Sequence, residues 1–188
     1  MTAATARLAV VATANPHKVE ELGRILPDWR LTPLDRTDFP PEDGETYEAN
    51  ARIKARFGRL HAPPGAWAIG EDSGIEADGI GGRPGIQSAR WAVDGVGRLL
   101  AELDGIENRR ARYRCVIVAI GEAGEVVAEG VLEGSVVGPP RGHGGFGYDP
   151  IFVPEGQTRT VAELGDAWKQ EHSHRARAAR SLAAQLRL

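Results

Sequence analysis

A run of five apolar residues, Leu8-Ala9-Val10-Val11-Ala12, passes directly into the polar hexapeptide Thr13-Ala14-Asn15-Pro16-His17-Lys18. The run does not alternate polar with apolar, so a strand here is covered on both faces, as in a sheet packed between helices. Val19, Leu22, Ile25 and Leu26 then recur at helical spacing, and Pro16 falls where a first helical turn tolerates proline. Strand, short polar loop and helix therefore open the chain. That order predicts a mixed α/β architecture.

The remaining pattern agrees. Residues 29–34 predict a second short strand before the acidic loop Phe39-Pro40-Pro41-Glu42-Asp43-Gly44. A helix is predicted over 46–61, with Tyr47, Asn50, Ile53, Phe57 and Leu60 on one stripe. Trp67-Ala68-Ile69 reads as a short strand ending in a tight glycine turn, Gly70-Glu71-Asp72-Ser73-Gly74. A short helix carries Leu99, Leu100 and Leu103, and strands over 113–120 and 126–137 flank the turn Gly121-Glu122-Ala123-Gly124. A closing helix runs from about His174 to Leu186. There is no internal repeat and no long linker, so one domain is expected over 1–188.

Composition narrows the function. The 24 glycines and 12 prolines of 188 residues exceed the ordinary combined share of about 12% without any collagen-like period, which means many shaped loops. A net charge of −3 argues against nucleic acid or an anionic membrane as partner. Arginines cluster at Arg109, Arg110, Arg112 and Arg114, read as the solvated edge of a strand, and basic residues cluster again over 172–180. The lone Cys115, inside an apolar run, excludes an internal disulfide and a multi-cysteine zinc site and reads as a buried inert thiol. No apolar run approaches the roughly 20 residues that span a bilayer. Met1-Thr2-Ala3-Ala4-Thr5-Ala6-Arg7 lacks a leader pattern, so a cytoplasmic protein is expected.

Four segments can carry chemistry. Thr13, Asn15 and Lys18 bring a hydroxyl, an amide and an ammonium to a helix N-terminus, where free N–H groups favour phosphate; the same residues also make an ordinary helix cap. Glu71 and Asp72, with Glu42 from the acidic loop, offer carboxylate oxygens of the kind that hold Mg²⁺, or else cap turns. The loop over 138–150, with five glycines and three prolines, presents Phe146 and Tyr148 for stacking on a base, or uses them as a hydrophobic plug with Asp149 capping a turn. Lys169 and Ser173-His174-Arg175 enter the last helix, where Arg175 could hydrogen-bond acceptor oxygens, His174 is a base by type, and a charged helix start is the plainer reading.

In order and together, these segments resemble the inosine triphosphate pyrophosphatase family. The matching blocks are Thr13-x-Asn15-x-x-Lys18; Glu42-x-Gly44-x-Thr46-Tyr47 with Asn50-Ala51 and Lys54-Ala55; Gly70-Glu71-Asp72-Ser73-Gly74; Gly82-x-Pro84-Gly85-x-x-Ser88-Ala89-Arg90; Gly144-Gly145-Phe146-Gly147-Tyr148-Asp149-Pro150; and Lys169 with Ser173-His174-Arg175. The resemblance implies an elongated two-lobed α/β fold with a long central mixed sheet and a nucleotide cleft between the lobes, and a homodimer. It implies Mg²⁺-dependent cleavage of ITP, dITP and XTP to monophosphate and pyrophosphate, which keeps deaminated purines out of DNA and RNA. It casts the loop Thr13, Ala14, Asn15, Pro16, His17 and Lys18 as the triphosphate cradle, with Lys18 also catalytic. Glu42 and Asp72 become the metal carboxylates, Asp72 doubling as proton acceptor. Ser73, Phe146, Gly147, Tyr148, Asp149, Lys169, His174 and Arg175 become substrate-binding residues. A 6-oxo acceptor facing Arg175 would be accepted, whereas the adenine amino group would set donor against donor, at about 1–3 kcal/mol. Similar enzymes of modified pyrimidines, and a sensor that binds without cleaving, are the rival readings.

The sequence departs from the family pattern in places. Glu71 stands where an aspartate is usual, Glu48-Ala49 replaces an acidic pair, and Trp91 replaces a tyrosine. His172 replaces an apolar residue, and Ala92-Val93-Asp94-Gly95-Val96 is several residues short.

Overall fold

The computed structural model describes residues 6–186. Met1-Thr2-Ala3-Ala4-Thr5, read above as part of a leader-free start, lies outside them. β1 (Arg7–Val11) leads into α1 (Pro16–Ile25), with Asn15 as N-cap: its Oδ1 accepts from the His17 amide at 3.0 Å, and Pro16 sits in the first turn, where its missing N–H costs nothing. β2 (Trp29–Pro33) follows, then α2 (Tyr47–His61), capped by the Thr46 hydroxyl. The chain continues through β3 (Trp67–Ala77), β4 (Arg83–Pro84), α3 (Gly95–Glu102), β5 (Arg110–Gly121), β6 (Gly124–Val136), β7 (Phe152–Pro154), α4 (Val161–His172) and α5 (His174–Gln185).

The strands form one open sheet in the order β2-β1-β3-β5-β6-β7, with β4 on β3. β1 runs parallel to β2 and β3, and the other pairings are antiparallel, so the sheet is mixed as expected. α1 and α5 share a core with one face through Leu22, Ile69, Ile117 and Leu182, while α2 meets Val116 and Val118 on the other face. A further core, around Ile75, Leu99, Tyr113, Phe152 and Val161, fills the other end of the long strands. Among the described residues no helix is long and apolar enough to cross a membrane.

Several expectations need correction. The residues read as a glycine turn continue β3 in full register with β5, pairing Glu71 with Ile117, Asp72 with Val116 and Ser73 with Cys115. The glycines serve close packing instead. A Cβ on Gly70 would lie 2.0 Å from the Ala51 carbonyl oxygen, and one on Gly74 would lie 2.3 Å from that of Gly85. α2 accordingly buries a narrow face of Tyr47, Asn50, Ala51, Lys54, Ala55 and Gly58. Leu60 of the predicted stripe is exposed, and Phe57 packs at the rim against Phe39 and His61. A stripe of large side chains would have held the helix off the strand.

β7 and α4 were not predicted. β7 is only three residues long, and α4 begins with a capping box in which Thr160 and Glu163 satisfy each other's backbone amides. Of the arginines of β5, Arg110 is exposed as expected, whereas Arg112 pairs with Asp78 at 2.5 Å and Arg114 with Glu76 at 3.2 Å.

Candidate active site

Because β3 stays extended through the acidic pair, successive side chains leave opposite faces of the sheet. Glu71 and Ser73 project toward α1 and α5, and both accept hydrogen bonds from Arg175. Asp72 projects toward α2, where Asn50 and Lys54 meet it. The two adjacent carboxylates therefore do not share a site.

On the α1/α5 face, six charges alternate in sign along one chain of contacts. Lys18 Nζ lies 2.5 Å from Glu71 Oε2, and Glu71 Oε1 accepts from Arg175 Nη2 at 2.9 Å. Arg175 Nη1 pairs with Glu21, whose other oxygen is 2.7 Å from Lys169 Nζ. Lys169 then reaches Asp149 Oδ2 at 2.9 Å. Burial alone would raise the Glu71 carboxyl, but Arg175 and Lys18 outweigh it and hold it well below the usual carboxylate range. Burial likewise opposes the charge on Lys169, and Asp149 and Glu21 more than restore it. The Cys115 thiol also donates to Glu71 Oε1, at 3.2 Å; it is buried, and burial pushes its titration well up, as an inert thiol requires.

A cleft of about 150 Å³ opens onto this chain of charges. Ten of the sequence-predicted residues line it: Asn15, Lys18 and Ser73, the loop Phe146, Gly147, Tyr148 and Asp149, and Lys169, His174 and Arg175. Phe146 is the aromatic the loop presents, with Lys169 Nζ 4.7 Å from its ring centre and the His17 ring stacked on it at 5.6 Å. Tyr148 is instead a buried anchor whose hydroxyl donates to the Ser88 carbonyl at 3.0 Å. Asp149 does cap a turn, accepting from the Phe146 amide at 3.0 Å, and also accepts from Tyr113 at 3.2 Å.

His174 is buried and stacks on Tyr113 at 4.7 Å. Burial, reinforced by Arg175, pushes its pKa well below the ordinary value, so the ring is neutral. Both terminal guanidinium nitrogens of Arg175 are occupied, leaving Nε as its nitrogen without a partner among the described residues. Thr13, Ala14, Pro16 and His17 lie outside the lining; Thr13 Oγ1 accepts from the Asn15 amide at 3.1 Å and so shapes the loop.

Glu42 and Asp72 meet on the α2 face. Lys54 Nζ stands between them, 2.8 Å from Glu42 Oε1 and 3.4 Å from Asp72 Oδ1. Asn50 donates to Asp72 Oδ2 at 3.1 Å, and Arg90 holds Glu42 through Oε2 at 2.7 Å and its carbonyl at 3.0 Å. Burial raises the Asp72 pKa; Lys54 opposes this, but the neighbouring Glu71 charge adds to it, and the net shift is upward. Burial would also raise Glu42, yet Lys54 and Arg90 bring it below its ordinary value. The cleft's lining reaches Ser73 and Gly74, the residues that follow Asp72 in β3.

Reading the sequence did not assign Asn50, Lys54, Arg90 or Glu21 to the site, although the first three stand in the quoted blocks. Helical spacing carried the signal: Asn50 and Lys54 are four residues apart on α2, and Glu21 lies three residues after Lys18 on α1.

A model of the Ham1 family matches residues 9–185. The chain belongs to the Ham1 family. It is 41% identical to the dITP/XTP pyrophosphatase of Deinococcus deserti, covering 95% of this chain and 88% of that protein. It is 42% identical to the dITP/XTP pyrophosphatase of Gloeobacter violaceus, covering 94% and 92%. Among solved structures it is similar to the Ham1 protein of Staphylococcus aureus, with a TM-score of 0.84 and 33% identity over 96% of this chain and 98% of that one.

The oxygen donors of this Ham1-family site are of the hard kind that divalent cations take. Glu42 and Asp72 converge on one cationic point, the Lys54 ammonium, and offer hard oxygen ligands. No group of three His, Cys, Asp or Glu side chains suited to a metal exists among the described residues. Two protein carboxylates completed by substrate oxygens and water is the usual arrangement for Mg²⁺. Glu71, on the far face of β3, is not part of that set.

Proposed function

We propose that this chain is a hydrolase that cleaves non-standard purine nucleoside triphosphates, dITP, ITP and XTP, to the monophosphate and pyrophosphate. Asp72 carries the reading: it is a buried carboxylate with a raised pKa, set beside a second acid and next to a cleft rich in cations. A carboxylate raised in this way is a stronger base than a free aspartate. The relatives named dITP/XTP pyrophosphatase support the substrate class.

In this mechanism the purine occupies the cleft against Phe146, and the triphosphate extends along the loop from Thr13 to Lys18. Glu42 and Asp72 would hold Mg²⁺, which would supply positive charge against the phosphate oxygens. A water attacks the α-phosphorus and passes a proton to Asp72, whose two roles require different oxygens or different steps. The new P–O bond forms as the α–β anhydride bond breaks, and pyrophosphate takes the bonding electrons. Lys18 and Lys54 offset the charge that grows on the leaving group. Lys169 and Arg175 supply donors for a 6-oxo group, against which an adenine amino group would leave donors opposed. Ser73, Gly147, Tyr148, Asp149 and His174 shape the pocket around the base. We also propose that the chain acts as a single-domain homodimer in the cytoplasm, without nucleic acid or membrane as partner.

The test is product analysis with Mg²⁺ and equal concentrations of ITP, XTP, GTP, ATP and dTTP. Fast release of monophosphate and pyrophosphate from ITP and XTP, with the others slow, is the expected result. Orthophosphate and diphosphate would overturn attack at the α-phosphorus, and binding without any cleavage would make the chain a sensor.

A further inference from the structure

Glu42 lies in a stretch without helix or strand between β2 and α2, whereas Asp72 lies in the middle of the sheet. Two acids that act together need a common frame, and one side chain links both. Asn50, fully buried in the first turn of α2, donates from Nδ2 to Asp72 Oδ2 at 3.1 Å and accepts at Oδ1 from the Gly44 amide at 2.9 Å. A backbone N–H on one side and a carboxylate on the other fix which way the amide points. Gly44 is two residues from Glu42. A Cβ there would fall 2.8 Å from Asn50 Oδ1 and 2.7 Å from Ala49 Cβ, so only glycine lets the loop approach this closely.

Lys54, one turn further along α2, reaches the other oxygen of Asp72 and one oxygen of Glu42, whose second oxygen Arg90 holds. An ammonium turns freely about its stem to donate, whereas the Asn50 amide, pinned at Oδ1 by the Gly44 amide, holds its two N–H donors in fixed in-plane directions, one of them toward Asp72. The carboxylate plane of Asp72 is therefore set by Asn50, not by Lys54. We propose that Asn50 is the positioning residue of this site, orienting Asp72 with one end of its amide and anchoring the Glu42 loop with the other. The inference rests on the hydrolase reading for its kinetic test alone.

Two substitutions in the full-length chain separate the two ends. Asn50→Asp keeps an oxygen for the Gly44 amide but turns the donor facing Asp72 into an acceptor. Turnover number for dITP should fall about 100-fold, the cost of misplacing a reacting group, while hydrogen exchange at Gly44 stays slow. Gly44→Ala leaves the Asn50 amide intact and pushes the loop away. Gly44-side amides should exchange about tenfold faster, the half-saturating Mg²⁺ concentration should rise, and turnover at saturation should change far less. Asn50→Leu should combine both losses; if it does not fold, the first two variants decide. An Asn50→Asp turnover within threefold of the unsubstituted chain would overturn the orienting role. Unchanged exchange in both Gly44→Ala and Asn50→Leu would overturn the anchoring role. If the unsubstituted chain does not cleave dITP, the hydrolase reading fails, and the exchange measurements still decide the anchor.

Discussion

Glu71 and Asp72 are consecutive residues of one strand, both buried, and their surroundings drive them in opposite directions. Glu71 faces Lys18 and Arg175 and stays ionised well below the usual carboxylate range. Asp72 is raised by burial first and then by the neighbouring charge of Glu71, and the lysine it shares with Glu42 and the neutral donor it takes from Asn50 oppose that rise without cancelling it. Adjacent carboxylates pushed apart in this way can divide the labour, and in the mechanism proposed above one holds structure while the other takes the proton. What separates them is the alternation of a β-strand, one residue to each face.

The sharpest way to break this comparison is Asp72→Asn. The amide keeps the shape, so the fold should persist while turnover of dITP drops about a thousandfold or more in steady-state assays; near-normal turnover would mean the base is another residue. Glu71→Gln should behave the other way round. It strands Lys18 and Arg175 without their central anion, an expected loss of about 3–5 kcal/mol in urea unfolding, with turnover reduced far less than in Asp72→Asn.

Phe146→Ala probes the cleft without touching either acid. Base stacking on an aromatic ring is worth about 1–3 kcal/mol, so the KM for dITP should rise about tenfold with little change in kcat. The smallest effect concerns His174, whose pKa lies well below the ordinary 6.5 because of burial and then Arg175. Below pH 6.5 the unfolded chain takes up a proton that the native ring refuses. Stability should therefore fall as pH drops through that range and be complete above it. Glu71 adds a second loss in the same direction at lower pH, beneath its ordinary 4.5. Replacing His174 with phenylalanine should flatten the first of these slopes in unfolding midpoints compared at pH 5.5 and 7.5.

Much of the site was legible because its signals are local. Asn15, Pro16 and Thr46 announce helix starts within a few residues, and the structure has caps or first turns at all three. The 146–149 loop carries enough glycine to mark a shaped surface, and its Phe146 does reach the cleft. Where the reading failed, the same residue type served a different geometry. Gly70 and Gly74 suggest a turn by composition but exist so that α2 and the 85–88 segment can touch the strand. Ile53, Phe57 and Leu60 suggest a buried stripe by hydrophobicity, yet that close contact selects the smaller face beside it.

By itself, the sequence determined the mixed α/β class, the positions of the cap-marked helices, the inert Cys115 and the set of residues from which a site could be made. Those properties depend on neighbours within a turn or two, where spacing and side-chain chemistry suffice. Only the tertiary structure decided which face of β3 each acid occupies, that Lys18, Glu71, Arg175, Glu21, Lys169 and Asp149 form one alternating chain, and that Asn50 and Lys54 divide the oxygens of Asp72 between them. Charge pairing and burial depend on groups brought together from distant parts of the chain, and it is those neighbours that shift two adjacent carboxylates in opposite directions.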